Sequence, residues 1–176
     1  MKKRILLIGM ILVLSMSLLA CGSPSGIVDA GRTAATRLIS GEMTGQVAKA
    51  YKAQWFDFTV KSIEIVDSYA GYSPEAGNVL VDVVLEEIGT FSEPSPMGTF
   101  DFYFDHNTFE EYIFPMDPLD DTMMPLEFDL AKDVVVEYHM VYELPAGLVN
   151  LKLMYTEIDE EENEGVTFSI PFSTAS

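Results

Sequence analysis

The chain has 176 residues, 28 acidic against 10 basic, and a formal net charge of −18. A surface that negative repels phosphate backbones, whose binding depends on Lys and Arg displacing counterions, so nucleic acid is excluded as a partner. With 48% hydrophobic and 11% aromatic residues the chain is too apolar for an acidic disordered polymer, and its length suits one packed domain.

The N-terminus reads as an export signal. Lys2, Lys3 and Arg4 precede an apolar run from Ile5 to Leu14, and small residues lead into Cys21. The run is too short for a comfortable spanning helix. Leu18, Leu19, Ala20 and Cys21 resemble the lipobox of bacterial lipoproteins, in which the cysteine thiol takes a diacylglyceryl group and the signal is cut just before it. Cys21 is the only cysteine, so no intramolecular disulfide is available to an exported protein, and lipidation gives the thiol a use. Two acyl chains hold a protein on a bilayer where one does not, each buried CH₂ contributing about 0.8 kcal/mol. The expected location is the extracytoplasmic face of a cell membrane, with the protein anchored through Cys21. Loss of the three basic residues of the signal takes the net charge from −18 to −21. That charge repels anionic headgroups, so the folded part is expected to stand off the membrane.

Residues 1–20 are therefore read as signal peptide and 21–54 as lipidated cysteine plus tether. Gly22, Ser23, Pro24, Ser25 and Gly26 have leash composition. A short helix is the alternative over 28–39, where Asp29, Thr33 and Arg37 share one face, although Gly31, Gly41 and Gly45 weaken helical propensity through this stretch.

From Trp55 to the C-terminus the pattern is alternation. Phe56, Phe58 and Val60 share one parity and Ile63 and Ile65 the other, the signature of a β-bulge near Lys61 and Ser62. A turn over 71–77 leads to Val79, Val81, Val83 and Leu85 as the next buried face, with Asp82 and Glu86 opposite. Ser92-Glu93-Pro94-Ser95-Pro96 reads as a break, Phe100, Phe102 and Phe104 as a strand face, and 115–125 as a loop. Val134, Val136, Tyr138 and Met140 oppose Glu137 and His139; Leu151, Leu153 and Tyr155 form another face; Val166, Phe168, Ile170 and Phe172 form the last. About seven short strands separated by turns, with no helical period between them, predict an all-β antiparallel sandwich over 55–176.

Four runs in this span carry a family resemblance: Trp55-Phe56-Asp57-Phe58-Thr59-Val60, Val79-Leu80-Val81-Asp82-Val83, Ser92-Glu93-Pro94-Ser95-Pro96-Met97 and Glu143-Leu144-Pro145-Ala146-Gly147. In their order they resemble the immunoglobulin-like (telokin-like) domain of bacterial surface lipoproteins, a family of unknown function. Its general fold is shared by the mycobacterial immunoprotective secreted antigen. Where family members often carry Lys-Asn after the second strand, this chain has Glu86-Glu87-Ile88-Gly89. The resemblance implies a sandwich and a surface location, with no activity to carry over. Antibody domains pin their sheets with a disulfide against a Trp; here aromatic and β-branched packing must serve instead.

No pattern of catalytic chemistry stands out, and the expectation is a protein that is not an enzyme and holds no cofactor. Neither His106 nor His139 has a sequence neighbour suggesting a triad, and there is no nucleophile elbow or His-Glu-x-x-His. Asp159, Glu160, Glu161, Glu162 and Glu164 offer oxygen ligands suited to Ca²⁺, against the reading of a solvated hairpin loop whose charges repel one another. Asp105-His106-Asn107 begins like a calcium loop, but Phe109 and Glu110 occupy positions that need a ligand and a Gly. Met116, Met123 and Met124 are thioethers within one loop, a Cu(I)-like set that gap-filling explains as well. Trp55, Tyr69, Tyr72, Tyr103 and Tyr112 are candidate interface aromatics. The function expected is a membrane-anchored binding or interaction module whose partner is a surface protein, peptide or wall component. The alternatives are a Ca²⁺-responsive structural lipoprotein and an envelope hydrolase.

Overall fold

The structure is a computed structural model that describes residues 41–106, 111–158 and 164–175. The signal peptide, Cys21 and the tether as far as residue 40 lie outside the described residues, as does the helix considered over 28–39. What is described is all-β, with one 3₁₀ turn at Thr99–Asp101 and no α-helix among the described residues.

Two four-stranded sheets pack face to face. The first contains β1 (Gly41–Thr44), β10 (Glu164–Phe172), β9 (Leu151–Ile158) and β6 (Phe102–Asp105), in that order. The second contains β2 (Ala50–Lys52), β3 (Phe56–Val66), β4 (Asn78–Gly89) and β8 (Val135–Pro145). A ribbon of β5 (Ser95–Gly98) and β7 (Glu127–Leu130) completes the fold. Every pairing is antiparallel except β1 with β10.

The long strands follow the alternation in the sequence. Phe56, Phe58 and Val60 are buried, and the pairing with β4 slips by one residue between Val60 and Ser62, at the predicted bulge. The bulge leaves Lys61 exposed beside β4, where its Nζ lies 2.8 Å from Glu86 Oε2. Glu86 stands directly opposite Glu137 across β4 and β8, an unfavourable like-charge pairing that Lys61 offsets. Val81, Val83 and Leu85 are buried in the core, as are Leu151, Leu153, Tyr155, Phe168 and Ile170.

In place of a disulfide, an aromatic cluster joins the sheets. The Phe58 ring lies 5.3–5.8 Å from five others: Tyr51, Phe56, Phe102, Tyr155 and Phe168. Edge-to-face and offset contacts at such distances add about 0.5–1.5 kcal/mol per pair beyond area burial. Tyr142 crosses the same core, its hydroxyl donating to the Phe102 carbonyl at 3.1 Å.

Several expectations are corrected. The folded part begins before Trp55: 41–54, read as tether, carries β1 and β2, and Tyr51 of β2 is a core residue. Ten strands are present among the described residues, where about seven were expected. The extra ones are short or carry proline, so alternation is too brief to show. Ser95-Pro96 lies in β5, not in a break, and Phe100 sits in the 3₁₀ turn and is exposed while Phe102 and Phe104 are buried. Val134 precedes β8 and is exposed.

The outer face of the second sheet is also partly covered. Leu80, Val141 and Met123 form a second buried cluster, roofed by Tyr69, Tyr72 and Met116. The 115–125 loop runs beside β8, with Met116 and Met124 donating to the Val141 and His139 carbonyls and His139 donating to the Thr122 carbonyl. Covering an outer strand in this way removes a free edge for unwanted pairing.

Candidate functional site

At one end of the sandwich, three stretches of chain that are distant in sequence, 55–56, 91–101 and 155–158, surround a cavity of about 460 Å³. The start of β3 brings Trp55 and Phe56, the stretch after β4 brings Phe91, Glu93 and Pro94, and β5 brings Pro96 and Met97. Asp101 of the 3₁₀ turn and Tyr155, Thr156 and Ile158 of β9 close it. The Trp55 and Phe91 rings meet edge to face at 4.8 Å, fixing one wall, and the Thr90 N–H donates to the Trp55 carbonyl at 3.3 Å. Phe56 and Tyr155 pack at 5.1 Å across the floor. Size and apolar walls with a few polar groups are the usual attributes of a ligand pocket.

The polar side chains lining it are Glu93, Ser95, Asp101, Tyr155 and Thr156. Asp101 reaches back to accept the Gly98 N–H at 2.8 Å, which positions it on the cavity wall; burial raises its pKa and that hydrogen bond opposes the rise. Glu87 continues the inward parity of Val81, Val83 and Leu85 and is fully buried opposite Phe58 and Val136. Neither of its oxygens has a hydrogen-bond partner among the described residues. Burial, and then the Asp101 carboxylate, push the Glu87 carboxyl up to about 8. The Tyr155 phenol is raised far above its ordinary range by burial, then by Asp101, Glu157 and Glu87. Three acids thus act on one tyrosine at the cavity floor. Glu157 has a structural duty: it accepts from Gln54 N at 2.6 Å and Val166 N at 3.2 Å, tying the approach to β3 to the start of β10.

A second hollow, about 520 Å³, lies on the other side of Asp101 and shares Pro96, Met97 and Asp101 with the first. Leu126, Glu127, Phe128 and Asp129 form its far side, and Phe100 overhangs it.

The candidates read from sequence are mostly dispersed. Glu164 opens β10 and is exposed; Asp159, Glu160, Glu161 and Glu162 lie outside the described residues, as do Asn107, Phe109 and Glu110. Among the described residues no three His, Cys, Asp or Glu are grouped to hold a metal ion. The three methionines do not converge: Met123 is buried in the outer cluster, Met116 flanks it, and Met124 is buried in the main core. His106 is buried with Nε2 2.8 Å from the Val149 carbonyl.

His139 does have a partner, which sequence proximity could not show. It stands opposite Val84, and Asp82 is the diagonal neighbour on the same outer face, with its oxygens 2.9 and 3.0 Å from Nδ1. Tyr69 packs on the imidazole at 5.6 Å and bonds Thr122 Oγ1 at 2.8 Å, while Thr122 donates to Asp120 at 2.6 Å. Among the described residues no hydroxyl is hydrogen-bonded to His139 Nε2; the 115–125 loop is held here by the His139 backbone and by Tyr69. Of the interface aromatics, Tyr72 donates to Glu143 at 2.6 Å, and Tyr103 packs on Tyr112 at 4.4 Å. Trp55 alone lines the cavity.

No family model matches the chain, and no curated protein matches it. Among solved structures it is similar to YcdA of Bacillus subtilis subsp. subtilis str. 168, a "putative lipoprotein", with TM-score 0.53 and 18% identity. That match covers 69% of this chain and 38% of YcdA, so the chain spans well under half of that protein's length. YjhA of Bacillus subtilis (TM-score 0.47, 12% identity, 71% of this chain and 98% of that one) is also similar. So is an uncharacterized β-sandwich protein of Clostridium difficile 630 (0.49, 10%, 78% and 99%). At such identities the likeness is one of fold.

Proposed function

We propose that the protein is a lipid-anchored extracytoplasmic lipoprotein of the immunoglobulin-like kind, acting as a non-catalytic binding module whose ligand seat is the aromatic-walled cavity at the Trp55 end. The cavity carries this reading, because it joins strand ends to apolar walls and a few polar groups, among them the Asp101 carboxyl. The basic start, apolar run and lipobox-like residues before Cys21 support the anchor. The four family-like runs and the fold shared with YcdA support the domain type.

Cys21→Ser tests the anchor: fractionation should find the folded chain released from membranes or stalled as precursor, and normal membrane retention would refute it. Proximity labelling from the cell surface tests the seat. Phe91→Ala, which removes one wall of the cavity, should lose partners that the wild type labels. An unchanged set of partners would move the binding site elsewhere.

A further inference from the structure

The two hollows adjoin along Pro96, Met97 and Asp101, which line both, and we treat them as the two compartments of one groove. A groove with two adjoining compartments suits an extended chain better than a compact small molecule. Its flanks are apolar: Phe100, Phe114 and Leu126 are 51%, 44% and 45% exposed, and the Phe100 and Phe114 rings touch at 5.6 Å. Its charged lining is of one sign, with Glu93 in the first hollow, Glu127 and Asp129 in the second, and Asp101 between them. No described Lys or Arg lines either hollow. Glu87, close enough to Asp101 to feel its charge, is buried with no hydrogen-bond partner among the described residues.

A negative apolar groove recruits its electrostatic complement. Resting on the binding reading above, we infer that the groove takes an extended polypeptide segment of a partner protein that presents a lysine or arginine side chain to Asp101, flanked by apolar residues on either side. The aliphatic stem of that side chain lies along Trp55, Phe91 and Met97, and its cationic head meets the carboxylate.

Trp55 is the only tryptophan of the chain and lines the groove, so its fluorescence reports occupancy. The full chain in non-ionic detergent micelles is titrated with blocked Gly-Val-Lys-Val-Gly, with its Arg, norleucine and Glu counterparts, and with free pentylamine. The Lys and Arg peptides should give saturable changes, with norleucine about tenfold weaker and Glu weaker still, as loss of a charge-assisted hydrogen bond implies. Pentylamine should also be weaker, because it lacks the backbone and flanking contacts. Asp101→Asn, which keeps an acceptor for the Gly98 N–H, should weaken the Lys peptide about tenfold and leave the norleucine peptide unchanged. Should that variant fail to fold by circular dichroism, Glu127→Gln with Asp129→Asn, both exposed, should weaken the Lys peptide several-fold and reduce its salt dependence. Equal binding of Lys and norleucine peptides overturns the cation assignment and leaves the cavity as a binding seat. Pentylamine as tight as the Lys peptide overturns the polypeptide assignment, and the absence of any saturable change overturns the inference as a whole. The Phe91→Ala labelling result then decides separately whether the seat itself stands.

Discussion

Glu87 makes the stability of this protein depend on pH in a direction opposite to that of most carboxylates. Its carboxyl titrates near 8 in the fold, against an ordinary 4.5, so the folded chain holds a proton that the unfolded chain has released. Below pH 4.5 both states are protonated and the residue costs nothing through ionisation. Above it the unfolded state is favoured by about 1.4 kcal/mol per pH unit, which reaches about 3 kcal/mol at pH 7 and levels off above pH 8. Glu87→Gln removes the ionisation and keeps the volume. Urea unfolding of wild type and variant at pH 5, 6, 7 and 8 should therefore show a stabilisation that grows from under about 1 kcal/mol at pH 5 to about 3 at pH 7. Starting at pH 5 avoids the neighbourhood of the isoelectric point, near 4.2, where low net charge promotes association. Glu87→Leu should stabilise as well, since it leaves no polar atom unpaired in the core. A Glu87→Gln effect that is flat across this range would mean that the carboxyl titrates normally and that its burial has been misjudged.

Phe58→Ala should destabilise by about 3–5 kcal/mol, because it removes the ring at the centre of five aromatic contacts; a change below about 1 kcal/mol in the same assay would refute that role. At Gly89 an added Cβ would lie 2.1 Å from the Ala131 carbonyl oxygen, a backbone atom that cannot swing away. Gly89→Ala should therefore cost about 1–3 kcal/mol as the 131–134 turn is pushed off β4, and wild-type stability would show that the two segments do not approach so closely.

The sheets were legible in the amino-acid sequence because a strand buried on one side must alternate. The parities of β3, β4, β8, β9 and β10, and even the bulge at Lys61, follow from hydrophobic spacing alone. Glu87 was within reach of the same reasoning, since it falls on the inward parity two residues after Leu85; its charge argued for the surface and position argued for the core, and position decided. β1 and β2 left too little signal. β1 buries no residue and β2 only Tyr51, so their pairing partners, over a hundred residues away in the case of β1, define them instead. The Asp82–His139 pair depends on register between two strands that only folding sets side by side. The groove depends on still more. Trp55, Phe91, Pro96, Asp101 and Tyr155 carry no shared motif and come from separate strands and connections, because a concave surface at the end of a sandwich is made where chain segments stop and turn. Local periodicity determines which face of each strand is buried; where strand ends meet is decided by the packing of two sheets, a contact between parts of the chain that their local sequence does not encode.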